Sequence, residues 1–541
     1  MSRLFRLIFL AFLWCSSHFA YAQNPAATVP TATPKDTTRE IFLIRSDLLN
    51  LIKKDSNDLQ IFVGNVILRQ GNTIFQGDSV SLNKKLNTIE AFGNIHINDG
   101  DSVQIYGQYL IYYGDTKTAN IKKSVRLTDG KATLTTEDLT YDLNTKIGTY
   151  INGGKVVNGN STLTSQEGFY YSDTHDAYFK KGVQMVSPQY TMATDTLLYN
   201  VNSQIATFVA PTTINDGKSI IHTKSGTYDL ANGLANFGSR PVIQDSTQFI
   251  TADSIEFDKV SGLGHAKGKF IYRDTTQGVT VFSEIGHINR NNKTFLATVK
   301  PVMILKQDND SLYVTADTLY SGIFKDSLGT KPSDSTMVTD TVKGTKTVRV
   351  AQADSIRYFQ AFHHVKIFSD SMQAVGDSLY YSFKDSVFKL FNDPVMWSRG
   401  SQLTGDTIYL FTKNKKPEHV EVFENGYAIS KSNDQFYDQI KGNTIFGFFK
   451  DGELEHIRAK GSAESLYYIQ DEDSAYTGAN YAKADLINMY FEKRALKKIT
   501  WIHEVDGGFY PVLKVPEERK FFRGFKWQEF RRPKTRLELF E

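Results

Sequence analysis

The chain has 541 residues, 40% hydrophobic and 22% charged, which excludes disorder along most of its length and allows two to four ordinary domains or one long repeat array. Its 62 Lys and Arg against 59 Asp and Glu leave a formal charge of +3, too near neutral to mark a nucleic-acid binder. With 28 Tyr, 37 Phe and only 13 Pro, among many Thr, Val, Ile, Gly, Asn and Asp, the vocabulary is that of strands and tight turns.

In chain order, residues 1–22 read as a secretory signal. Arg3 and Arg6 open it, Leu7 to Trp14 is a short apolar run, and Ala20-Tyr21-Ala22 is an A-x-A cleavage site before Gln23. The run is too short to span a bilayer comfortably, although an uncleaved anchor is the alternative. Cys15 is the only cysteine and lies inside this segment. The mature chain is therefore expected to lack disulfides, thiol catalysis and cysteine-based metal sites. Residues 23–38, with Pro25, Pro30 and Pro34, read as a flexible linker.

From residue 39 an internal repeat takes over. Its tag is an acidic or polar residue, often Ser or Thr, an apolar residue, any residue, then Tyr, Phe or Leu. Clear copies are Asp78-Ser79-Val80-Ser81-Leu82, Asp195-Thr196-Leu197-Leu198-Tyr199 and Asp253-Ser254-Ile255-Glu256-Phe257. Two more are Asp354-Ser355-Ile356-Arg357-Tyr358 and Asp377-Ser378-Leu379-Tyr380-Tyr381. Looser copies start at Gln108, Glu137, Glu167, Lys224, Glu284, Asp317, Asp406, Asn443, Glu464 and Asp485, so that starts between 78 and 317 lie 28 to 33 residues apart. A second phrase falls between tags: Gly64-Asn65-Val66, Gly93-Asn94-Ile95, and weaker forms at Lys123, Gly154 and Lys181. Apolar residues alternate at period 2 within the tags, which predicts half-buried strands. One strand pair cannot bury its apolar face alone, and stacked pairs can. The expected fold is all-β: an elongated array of stacked antiparallel strand pairs with a repeat of about 29 residues, covering 39–324 and, more degenerately, 347–500. Residues 325–346, rich in Ser, Thr, Asp, Lys and Gly, read as a polar insertion between them.

Residues 501–541 form a basic, aromatic C-terminal segment. Between 514 and 536 nine Lys and Arg oppose three Glu, with Phe521, Phe522, Phe525, Trp527 and Phe530 interleaved. Arg519, Lys520, Arg523, Lys526, Arg531 and Arg532 are candidate contacts for an anionic head group or acidic partner. The competing reading is a segment that caps the array, with aromatics in the core and bases in water.

Motifs for chemistry are missing. Gly262, Gly264 and Gly268 miss the dinucleotide spacing, and Gly217-Lys218-Ser219 lacks the first glycine of a phosphate loop. There is no H-E-x-x-H or G-x-S-x-G. On a strand, His363 and His364 would point to opposite faces, so no metal site is expected there. The acidic pairs Asp308/Asp310 and Asp471/Asp473 read as solvated turns. The recurring tag carboxylate looks like a turn or strand-start residue, because a catalytic pair would be singular. No enzyme activity, cofactor or nucleic-acid partner is expected.

The Gly-Asn-Val/Ile phrases at 64–66 and 93–95, with the D-[ST]-apolar-x-Tyr tags and their Asn/Lys turns, resemble the OstA/LptA family, the β-jelly-roll proteins of lipopolysaccharide transport. The resemblance runs over roughly 40–320 and more loosely over 347–490. It implies two sheets in a V-shaped, open-ended groove, end-to-end stacking by strand addition, and carriage of lipopolysaccharide acyl chains toward the outer membrane. The chain has more repeats than a small bridge protein needs and no obvious long transmembrane barrel. The expectation is a periplasmic bridge protein, with outer-membrane association and peripheral membrane contact both open. Its partners would be lipopolysaccharide or a related amphiphile, other jelly-roll transport components, or itself. If the tags face inward, Leu82, Leu110, Tyr112, Leu139, Tyr141, Phe169, Tyr171, Leu197, Tyr199, Ile255 and Phe257 line the groove. Each is equally readable as a packed core residue. A structural or adhesive β-solenoid at the cell surface is the main alternative, and a membrane barrel or a polysaccharide-processing enzyme are lesser ones.

Overall fold

The computed structural model describes residues 40–324 and 356–541, apart from 55–56, 101–102, 307–310, 414–415, 451–452 and 493–494. The expected signal, linker and polar insertion, and the tag start Asp354, lie outside the described residues.

The described chain is nearly all strand, forty strands in one continuous antiparallel network. Strand Asn57–Gln70 pairs with Thr73–Asn83, which pairs with Thr88–Asp99, then Val103–Tyr113, Thr118–Thr128 and Ala132–Asp142. Beyond this point some long strands are broken into halves. Ile147–Tyr150 and Gly154–Asn158 both pair with Ala132–Asp142, one on each half of it.

Each long strand folds at its middle. The register slips between Val63 and Val66, Phe92 and Ile95, Lys122 and Val125, Lys180 and Val183, and Lys267 and Phe270. The two skipped residues take positive φ: Gly64 and Asn65 at 81° and 46°, Gly93 and Asn94 at 73° and 44°, Lys123 and Ser124 at 67° and 54°. Two successive left-handed residues make a sharp bend, which explains the second sequence phrase. The bends join two sheets along one edge, and the sheets face each other across an apolar interior. Phe75 on one sheet meets Tyr112 on the other with ring centroids 4.5 Å apart, and Tyr272 meets Phe295 at 4.4 Å.

The tag carboxylates pin these bends. Asn94 Nδ2 donates to Asp78 at 2.9 Å and Asn65 Nδ2 to Asp47 at 2.8 Å. Arg240 pairs with Asp253 at 3.0 Å and Lys181 with Glu167 at 2.5 Å. The tag main chain joins in: the amides of Asp47 and Asp253 donate to the carbonyls of Gly64 and Gly268. His363 and His364 do not have the alternating geometry of regular strand residues. They lie inside strand Arg357–Phe368 at its bend, with φ of 61° and 53°, and reach Asp377 at 3.1 Å and Asp317 at 2.9 Å.

The interior is continuous. One buried cluster runs from Ile41 to Phe237 and a second from Ala252 to Met489, and Ile243 packs against both. A third, aromatic cluster gathers Tyr427, Ile429, Leu466, Tyr468 and Tyr481 with Val515 and Phe522 of the C-terminal segment.

Candidate functional site

Opposite the bends, the two sheets meet along a mouth, and this mouth is the feature with functional potential. Eight of the expected groove residues point into the interior and are buried: Leu82, Leu110, Tyr112, Leu139, Tyr141, Leu197, Tyr199 and Ile255. Phe257 is half-buried against the same core. Phe169 and Tyr171 are not inward. In strand Glu167–Tyr171 the buried positions are Gly168 and Tyr170. The frame is set by Gln166, whose amide donates to the Lys181 carbonyl as the tag acids do elsewhere, so the tag begins one residue earlier than its Glu suggests. Phe169 instead packs on Tyr178 on the outer face, under Lys180.

The bonds that close the mouth involve side chains. Inward tag tyrosines reach across to polar residues at the hairpin tips of the other sheet. Tyr112 donates to Gln70, whose Nε2 donates to the Gly114 carbonyl at 3.2 Å. Tyr141 donates to Asp99 at 3.0 Å, and Tyr170 donates to Asp129, which also meets His175 at 2.9 Å. Asn158 Nδ2 donates to the Tyr199 hydroxyl at 3.3 Å and to the Val201 carbonyl at 3.0 Å. Further along, Arg290 bridges Asp216 and Ser219 at 3.2 and 2.6 Å. Burial pushes the Tyr112 and Tyr141 phenols far above their ordinary range and those of Tyr150 and Tyr199 up to about 12, so all four are neutral at neutral pH. Burial pushes the Asp129 carboxyl up, but hydrogen bonds from the Ala132 amide, Tyr170, the Lys131 amide and His175 outweigh it and hold it low.

The rim residues were not singled out in the sequence, yet they carry a signal. Gln70-Gly71, Asp99-Gly100, Asp129-Gly130, Asn158-Gly159 and Asp216-Gly217 are polar–Gly steps in the phase of the repeat. The glycines supply the positive φ of the hairpin, at 57°, 63°, 87°, 56° and 80°.

Over the last third the C-terminal segment closes the mouth. After strand Asp506–Pro511 the chain turns back across the strands it has just left. Three buried glutamines hold it. Gln439 donates to the Lys520 carbonyl at 2.7 Å and accepts from the Phe522 amide at 3.2 Å. Gln402 donates to the Lys526 carbonyl at 2.7 Å and accepts from the Gln528 amide at 2.6 Å. Gln373 accepts two bonds from Arg532, at 2.8 and 2.6 Å. The first two glutamines each read a carbonyl and the amide two residues on, as a neighbouring strand would. Phe522 is buried between Tyr427 and Tyr481, and Phe540 reaches Phe282 and Tyr313. Of the candidate anion contacts, Arg519 lies over Tyr481 and Tyr510, Lys520 meets Glu517, and Arg531 meets Asp393 at 2.7 Å. Arg523 and Lys526 are exposed. Among the described residues there is no group of three His, Cys, Asp or Glu poised for a metal ion, and no helix long and apolar enough to cross a membrane.

Fold and mouth together define a class: a two-sheet β-jelly-roll array with one closable apolar interior. Residues 38–195 match the model of the family described as OstA-like protein. Among solved structures, a match is the crystal structure of LptH, the LptA homologous periplasmic component of the conserved lipopolysaccharide transport device from Pseudomonas aeruginosa. It is 13% identical, covering 19% of this chain and 79% of that one, with a TM-score of 0.18. No curated protein matches.

Proposed function

We propose that the protein is a periplasmic lipid carrier of outer-membrane biogenesis. It takes the acyl chains of lipopolysaccharide or a related amphiphile between its two sheets and passes them along the array toward the outer membrane. The observation that carries this reading is the continuous apolar interior, shut along one side by side-chain hydrogen bonds. An acyl chain of about twelve CH₂ groups gains on the order of 10 kcal/mol on leaving water. A rim bond is worth about 0.5–1.5 kcal/mol, so parting a few of them and repacking the tyrosines is within reach. The OstA-like stretch and the expected export signal support the same compartment and cargo class. Moving lipid along the array needs no covalent step, so no enzymatic role is proposed.

Partners would add at the ends. The first strands, Phe42–Arg45 and Leu48–Lys54, pair only with Asn57–Gln70 among the described residues and expose Phe42, Leu43, Ile44, Leu48 and Leu49. That edge suits strand addition by another jelly-roll component or a second copy. Exposed Arg523 and Lys526 would face anionic head groups.

One observation favours a second reading, a structural or adhesive array: the interior is filled by its own side chains, with Tyr112, Tyr141, Leu110 and Leu197 fully buried. A staple across the mouth separates the two. Lys131 Nζ and Asn202 Oδ1 face each other across the rim at 2.6 Å, both exposed. Lys131→Cys with Asn202→Cys, joined by a short bis-maleimide, would lock the mouth at that point. Native mass spectrometry should find lipid A-type species on the unjoined protein and much less on the joined one. Absence of lipid from both, even after added lipopolysaccharide, would favour the structural array.

A further inference from the structure

The outer face of one sheet carries an unusual pair of side chains. His265 in strand Leu263–Asp274 and His287 in strand Val279–Asn289 are direct cross-strand partners. Their chain neighbours Gly264, Ala266 and Gly286 face the interior, so both rings point outward. The ring centroids are 4.6 Å apart and the two Nδ1 atoms 3.2 Å apart. A close nitrogen pair of this kind holds either one shared proton or a cation. Zinc–imidazole bonds of about 2.0–2.1 Å place two nitrogens roughly 3.3 Å apart at a tetrahedral angle, and about 2.9 Å apart at a right angle. The observed separation lies between these values.

Two neighbours add to the pair. Glu256 is the cross-strand partner of His265 on its other side. Its carboxylate has only a 3.7 Å contact with Lys267, and both side chains are more than half exposed. It would have to turn to reach the imidazoles, since the three groups are not already poised around one point. The row also lines an open concavity of about 580 Å³ walled by Leu234, Leu263, Leu296 and Tyr320.

We propose that His265 and His287 form a chelating pair for a late first-row divalent cation, of the class Zn²⁺, Cu²⁺ or Ni²⁺, with Glu256 or water completing the shell. Two imidazole nitrogens disfavour Ca²⁺ and Mg²⁺, which take oxygen donors. With two fixed ligands the site would load according to metal supply and tie two adjacent strands, rather than hold the fold together. The pair lies outside the interior, so this inference is independent of the lipid-carrier reading.

The test is isothermal titration of the untagged mature chain with Zn²⁺ and Ni²⁺ at pH 7.5, with thermal unfolding as a second readout. One equivalent should bind. His265→Ala and His287→Ala should each weaken binding at least about tenfold, since even outer-shell changes commonly cost that much. The metal should raise the wild-type melting temperature and leave both variants unmoved. His363→Ala with His364→Ala, at the distant bend, should keep wild-type binding. Undiminished binding in the His265 and His287 variants, loss of binding in the bend variant, or no binding at millimolar metal would each overturn the proposal.

Discussion

Gly93 meets two constraints at its position with the least strain. It takes φ of 73°, and a Cβ there would stand 2.4 Å from the Asp78 carboxylate that pins the bend. Gly93→Ala should therefore destabilise the fold by about 1–3 kcal/mol in urea unfolding, and Asp78→Ala, which loses one exposed hydrogen bond, by about 1 kcal/mol or less. If Asp78→Ala proves the more damaging, the carboxylate has a role beyond the bend. Tyr141 makes a different contribution: Tyr141→Phe keeps the packing and loses the bond to Asp99, with an expected cost of about 0.5–1.5 kcal/mol. Asp438 gives a pH dependence. It accepts from the Tyr468 amide and the Ser432 hydroxyl at 2.8 and 2.7 Å, yet burial pushes its pKa up to about 6 from an ordinary 3.8. Between those values the folded state holds a proton that the unfolded state has released. This contribution is thus largest below about pH 4, falls as pH rises through 6, and is on the order of 3 kcal/mol at most. Denaturant titrations from pH 4 to 7.5 should show that decline in the wild type and a flatter profile in Asp438→Asn. Parallel profiles would mean that Asp438 is ionised throughout.

At the scale of elements, the strands were legible and the bends were not. Period-2 alternation in Val80 and Leu82 or Leu197 and Tyr199 names a half-buried strand, whatever the register of its neighbours. The bend, in contrast, is written with several residue pairs: Gly-Asn twice, then Lys-Ser, Lys-Gly, His-His and Glu-Asn. Only the left-handed backbone is common to them, and composition does not display φ. The misplaced frame at Phe169 has the same origin, because a glutamine can offer its main-chain amide as well as an aspartate does. Least legible was the strap made by the C-terminal segment. Gln373, Gln402 and Gln439 look like surface residues in a sequence, and only the fold shows that they hold a passing main chain. The basic–aromatic composition of the strap admitted both a cap on the open end of the array and an anion contact, and the segment lies along the last third of the mouth. Gln439→Leu keeps the volume and removes the grip on Lys520 and Phe522. Hydrogen exchange at the Phe522 and Gln528 amides should then rise about tenfold or more, with strands Thr73–Asn83 and Thr88–Asp99 unchanged. Equal protection in variant and wild type would show that Phe522 packing alone secures the strap.

For the whole molecule, the telling property is that neighbours in the sheets are neighbours in the chain. Strand follows strand from Asn57 to Ile502 without a long-range crossover among the described residues, so stability is close to a sum over adjacent units. Such an array repeats the same buried apolar interior along its length, the feature on which the proposed carrier role relies. The strap is the exception to this local wiring: Arg531 meets Asp393 and Arg532 meets Gln373, across 138 and 159 positions. That difference has a mechanical consequence. Pulled from its first strands, the array should peel one bend-to-bend unit at a time, each about thirty residues long and releasing roughly 100 Å of chain. In the strapped third, peeling must first break a clasp that joins distant units, so force should rise there before any length is released. The molecule would thus behave as a zip along most of its length and as a buckle at one end.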